Sequence, residues 1–153
     1  MKKIVLIALA AALGFVVSAQ AEELPTINIS LPINIIQPDP GLKELIAFSG
    51  AFTGTWPGHT PFVLIVEKIN NQSVTVVYAV APNIRFKSSG ITERHEAHIV
   101  TQDKKPRLEF TTMSGSRLMF ILGNGCLEAI YFGRKSSMRT TAVREDNMAK
   151  LLR

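Results

Sequence analysis

The chain of 153 residues contains one cysteine, Cys126, so no internal disulfide can form and the fold must be held by its core. Cys126 falls in an alternating apolar stretch, which predicts a buried, unreactive thiol. It lacks the electropositive surroundings and local signature of a nucleophilic cysteine. Histidine is scarce too, with only His59, His95 and His98. The spacing of the last two is not that of H-E-x-x-H, and no metal site is predicted. The net charge of +5 is only weak evidence for a nucleic-acid partner, and the lack of any run of five Lys or Arg, with the export expected below, argues against one. Phosphate-binding and dinucleotide-binding glycine fingerprints are missing. "SGSR" (114–117) lacks the Gly-x-Ser-x-Gly order of a nucleophile elbow and reads as a hairpin turn. The sequence therefore names neither a catalytic residue nor a cofactor.

What is present begins with a processing signal over residues 1–21. Lys2 and Lys3 precede an apolar stretch over 4–17, and Ala19-Gln20-Ala21 has the A-x-A cleavage pattern. The apolar stretch is too short and wrongly flanked for a membrane span, and no transmembrane segment is expected after processing. The mature chain is expected to start at Glu22 and to be periplasmic or secreted. It would keep 132 residues, enough for one core, and losing Lys2 and Lys3 lowers its net charge to +3.

Residues 22–47 read as an arm and linker. In "TINISLPINII" (26–36), Ile27, Ile29, Leu31, Ile33 and Ile35 share one face of an extended chain. Pro25 and Pro32 each remove a backbone donor, which confines the arm to an edge strand or a polyproline-like path. "QPDPG" then marks a turn, and "LKELIAF" (42–48) allows one short helical turn. The body, 48–144, is predicted to hold strands near 48–56, 61–69, 73–81, 91–101, 106–112, 117–122, 126–132 and 137–144. Their connections are mostly hairpin-length and rich in Gly, Asn, Asp and Ser. The fold class is thus all-β: an eight-stranded antiparallel up-and-down barrel, with a two-sheet sandwich as the alternative. "FVLIVEKI" and "VTVVYAV" are apolar on both faces, so something must cover that wall from outside. The arm, another subunit, or a short C-terminal helix over 145–153 with Met148, Leu151 and Leu152 on one side would serve.

Phe52, Gly54 and Trp56 in "FTGTW" alternate onto one face of the first strand. Gly54 leaves room for a neighbour, and the indole can cap a barrel end while donating its N–H. The Gly-x-Trp motif followed by a second strand resembles the opening of calycin-type barrels, the lipocalins and avidin-like proteins. That resemblance implies a lipocalin-like barrel able to hold a small ligand, and a last-strand arginine stacked on the tryptophan. Arg139 is the expected partner, with Arg144 fitting less naturally. Pro57-Gly58 directly after Trp56 and the missing Thr-Asp-Tyr motif depart from true lipocalins.

Two further groups are candidates for chemistry. In "TERHEAHIV" (92–100) a strand puts Glu93 and His95 on one face and His98 on the other. The pair is solvated if that face is outside. If inside, it lies in an apolar cavity as a possible acid–base couple. Second, alternate loops of a meander share an end, which gathers Arg85, Lys87, Arg117, Arg134, Lys135 and His59 on four loops and their flanks, and the loops contain no Asp or Glu. This basic rim suits an anion. The leading expectation is a non-enzymatic binding protein for a small apolar or anionic ligand, with Trp56, Arg85, Lys87, Arg134, Lys135, Glu93 and His95 as ligand-binding candidates. Gly54, Trp56 and Arg139 are the structural candidates. The alternative is an interaction or structural module whose filled barrel presents residues 26–36 to another copy or a protein partner.

Overall fold

The computed structural model describes residues 26–71, 73–103 and 105–151. The expected signal segment and Leu152 lie outside the described residues. Eight strands follow one another: β1 (Gly50–Trp56), β2 (Thr60–Ile69), β3 (Val74–Val80), β4 (Ile91–Gln102), β5 (Lys105–Thr111), β6 (Arg117–Leu122), β7 (Cys126–Phe132) and β8 (Ser137–Glu145). Each pairs antiparallel with the next, and β8 returns to β1, which closes the barrel and excludes the sandwich. Closure leaves no free sheet edge at β1 or β8.

Period-two patterning decides which side chains fill the barrel. Phe52 and Trp56 of β1, Phe62, Leu64 and Val66 of β2, Val76 and Tyr78 of β3, Leu108 and Phe110 of β5, Leu118 and Phe120 of β6 and Leu127 of β7 form one buried cluster. Phe48, Phe52, Phe62 and Phe120 are fully shielded from solvent. Each contributes about 1.5–3 kcal/mol through burial. Outside, β4, β5, β7 and β8 carry Arg94, Glu96, Arg107, Glu109, Glu128 and Arg139. Charged outer positions over an apolar interior are the reverse of the lipid-facing band and polar lumen of a membrane-spanning barrel.

A helical turn, α1 (Lys43–Ile46), precedes β1 and closes one end, with Leu42, Leu45 and Phe48 packed on the interior cluster. Arg144 locks this floor. It faces Phe52 across the β1–β8 ladder and stands over its ring at 4.7 Å. It also donates to the Ala47 and Ser49 carbonyls, both at 2.6 Å. Gly50, at φ 107°, permits this: a Cβ there would lie 2.9 Å from Arg144 Nη1. The expected arginine–aromatic stack therefore exists with different members, Arg144 on Phe52. Arg139 points outward to Glu128 Oε1 at 3.1 Å with its side chain 69% exposed, so it does not reach Trp56. Register is the reason. Gly54 pairs with Ala142, so Ala142 and Arg144 share the inner face and Arg139 falls on the outer one.

The arm supplies the missing outer cover. Its residues alternate strictly between half-buried and exposed. Ile27, Ile29, Leu31, Ile33 and Ile35, joined by Met148 and Leu151, pack over Ala51, Val63, Ile65 and Val77. The C-terminal helix is only a 3-10 turn, Met148–Lys150. Polar ties fix the arm's path. Ile36 N donates to the Glu67 carbonyl, Asn34 N to Glu67 Oε1, Arg94 to the Pro32 carbonyl and Thr92 to the Asn28 carbonyl.

Candidate functional site

The end opposite α1 is open. Loops 57–59, 81–90, 112–116 and 133–136 meet there, as hairpin alternation requires. Between them lies a cavity of about 490 Å³. Its apolar wall comes from Trp56, Tyr78, Val80, Tyr131 and Met138, and its polar wall from Thr60, Asn83 and four loop side chains, Ser88, Thr112, Ser114 and Ser136. This is within the size range of small-molecule sites.

The cavity floor is built from the opening motif. Gly54 pairs with Phe62, whose ring occupies the space a Cβ at Gly54 would need; that Cβ would sit 2.6 Å from the ring. Phe62 in turn stacks on Trp56, with ring centres 4.6 Å apart. Trp56 Nε1 donates to the Tyr78 hydroxyl at 2.8 Å, and Tyr131 meets the indole edge-on. Tyr131 and Ser116 are joined through their hydroxyls at 2.7 Å. From this layer Phe62 meets Phe120 and Tyr78 meets Phe110 ring to ring, and Phe110 stacks on Phe120, so buried rings fill the barrel beneath the cavity. Burial pushes the Tyr78 phenol well above its ordinary range, so it stays a neutral hydroxyl. That hydroxyl already accepts from Trp56, and no described residue accepts its own proton. Tyr78 therefore holds a donor ready at the cavity floor.

Glu93 and His95 face the interior, with Glu93 Oε2 2.8 Å from His95 Nε2. Neither lines the cavity. The β4–β5 ladder starts only at His98 and Glu109, so residues 91–97 pair with β3 alone. The couple spans the resulting gap. Met113 N donates to Glu93 Oε2 at 3.1 Å, and the His95 ring stacks on Phe110 at 5.0 Å. The geometry makes it a tie between β4 and the β5–β6 loop, with His98 exposed on the other side.

Arg85, Lys87, Arg134 and Lys135 are exposed on the loops around the mouth and form no ion pair among the described residues. Arg117 leaves the rim, because its guanidinium lies over the outward Phe132 ring at 4.6 Å. Cys126 is half-buried at the first position of β7, not in the core as its pattern suggested. No group of three His, Cys, Asp or Glu is arranged for a metal among the described residues. Tyr78 and Tyr131, the two phenols that complete the floor, are not among the candidates singled out from the sequence. Tyr78 alternates with Val74, Val76 and Val80, but Val77 and Ala79 make the other face of β3 apolar as well, so the pattern does not single it out. Comparison of the chain with protein families, with curated proteins and with solved structures gives no match, so the reading of this site rests on its geometry.

Proposed function

We propose that the protein is an exported, non-enzymatic binding protein that takes a short anionic amphiphile into the mouth of a calycin-like barrel. The observation that carries this reading is the Tyr78 hydroxyl, an uncommitted donor at the floor of a cavity walled by aromatic rings. A carboxylate or similar acceptor would take that proton, and a charged acceptor makes the stronger hydrogen bond. The apolar wall would hold a short chain, because the ring layer below leaves no path for a long one. Arg85, Lys87, Arg134 and Lys135 would draw the anion in through long-range attraction. The calycin relation is supported by Arg144 of the last strand, which stacks on Phe52 two residues after Gly50 and bonds to the turn before β1.

Trp56, the only tryptophan, sits in the floor and reports occupancy by its emission. Titration with octanoate should change that emission saturably, and methyl octanoate should bind at least about tenfold more weakly. Tyr78→Phe should lower octanoate affinity by about tenfold or more. Equal affinity for acid and ester would remove the anionic reading, and no response to either would remove the cavity as a ligand site.

A second reading, an interaction module using residues 26–36, is favoured by one observation. The arm lies on the barrel with a single backbone-to-backbone bond among the described residues, Ile36 N to the Glu67 carbonyl. A partner offering a paired edge could exchange for that docking. Concentration-dependent sedimentation of the whole chain, compared with a chain lacking residues 22–36, tests it. Identical behaviour of the two would set it aside.

A further inference from the structure

Ile84 is 95% exposed and Met113 82% exposed. Large apolar side chains this bare are costly in water, and these two stand on separate loops at the same end of the barrel. Ile84 follows Asn83 in the β3–β4 loop, and Met113 sits between Thr112 and Ser114 in the β5–β6 loop. All three of those neighbours line the mouth cavity. The same rim carries Arg85, Lys87, Arg134 and Lys135, with His59 exposed beside them. Its loops contain no carboxylate, whereas Asp39, Glu44, Asp103, Glu145 and Asp146 all belong to the opposite end.

We infer that this rim docks on an anionic lipid bilayer, with Ile84 and Met113 entering the interface and the four cations lying among the headgroups. Each half of the pattern needs the other. Cations alone would fit any polyanion, and bare apolar tips alone would fit any apolar surface. Apolar tips ringed by cations fit a surface that has acidic heads over an apolar layer. Docked this way, the cavity mouth opens toward the lipid. The inference extends the binding reading but does not need it, since docking uses the loop tips and binding uses the floor.

The test is co-sedimentation of the processed chain, its N-terminus read first, with vesicles of phosphatidylglycerol and phosphatidylcholine, and with phosphatidylcholine alone. Binding is expected on the mixed vesicles and weakened by salt. Arg134→Gln with Lys135→Gln should lower the partition coefficient about thirtyfold. Ile84→Ser with Met113→Ser should lower it about tenfold while leaving its salt dependence unchanged. Lys68→Gln with Lys105→Gln, which removes the same charge at the other end, should leave binding as it was. Three results would overturn the inference: no preference for the anionic vesicles, equal losses from the two charge variants, or full binding by the serine variant. The last would indicate a surface for soluble polyanions, and retention on an acidic polysaccharide would identify it as such. Failure here leaves the octanoate titration standing, and loss of octanoate binding in Tyr78→Phe leaves vesicle docking standing.

Discussion

Gly54 shows how one missing side chain sets a site. Its hydrogen leaves the gap that the Phe62 ring fills, and that ring is the shelf on which Trp56 lies flat. Gly54→Ala would push a fully buried ring, and overpacking of this kind costs about 1–3 kcal/mol. Denaturant unfolding should show that loss together with a shift in tryptophan emission. Trp56→Ala should cost more, about 3–5 kcal/mol, because a large buried ring is lost. The two candidate arginines should separate cleanly. Arg139→Ala changes an exposed ion pair and should alter stability by less than about 0.5 kcal/mol. Arg144→Ala gives up two backbone bonds and a ring contact and should cost about 1–2 kcal/mol. A double-mutant cycle should find coupling between Phe52 and Arg144 and none between Trp56 and Arg139. The alternation of β1 and the role of Gly54 could be read from residues 52–56, because both are local. Arg139 was misassigned because pairing between strands some ninety residues apart fixes which side a residue faces, and a shift of one position reverses it.

At the scale of elements, one charged clasp ties the arm to β2 and β4. Glu67, 5% exposed, accepts from Arg94 Nε at 2.7 Å, from Arg94 Nη2 at 3.0 Å and from Asn34 N at 2.9 Å. Burial acts to raise its carboxyl, but the Arg94 guanidinium and the Asn34 amide outweigh that and hold it below the ordinary carboxylate range. A depressed folded-state value means that the clasp stabilises the docked arm fully above the unfolded value near 4.5 and loses that contribution as pH falls through the folded one. Limited proteolysis should accordingly cut within 26–36 faster at pH 3 than at pH 7. Glu67→Gln should flatten that difference. Equal cutting of the wild type at both values would show that apolar packing alone holds the arm. The eight strands were legible in sequence because each hairpin carries its own turn residues and its own alternation. The need for an outer cover was legible too, since β2 and β3 are apolar on both faces. Which face of β3 looks inward was not, for the same reason, and that concealed Tyr78. The rim showed only as charge, because nothing in "NIRFKSSG" says that Ile84 stays bare.

For the whole molecule, closure depends on the two ends of the sequence meeting. Arg144 reaches Ser49 and Ala47 across 95 and 97 positions, and β8 is the only neighbour that β1 has besides β2. A fragment ending at residue 136 would keep seven strands and every hairpin before the last, yet leave β1 and β7 with bare edges. It should not melt cooperatively, and light scattering should show it associating. Adding a peptide of residues 137–153 should restore the tryptophan emission of the intact chain. Cooperative melting of the fragment alone would mean that the first seven strands suffice. A ring has no partial version, so this chain gains little from folding piece by piece as it emerges. Until β8 arrives to pair with β1 and β7, both of those edges stay open to other chains.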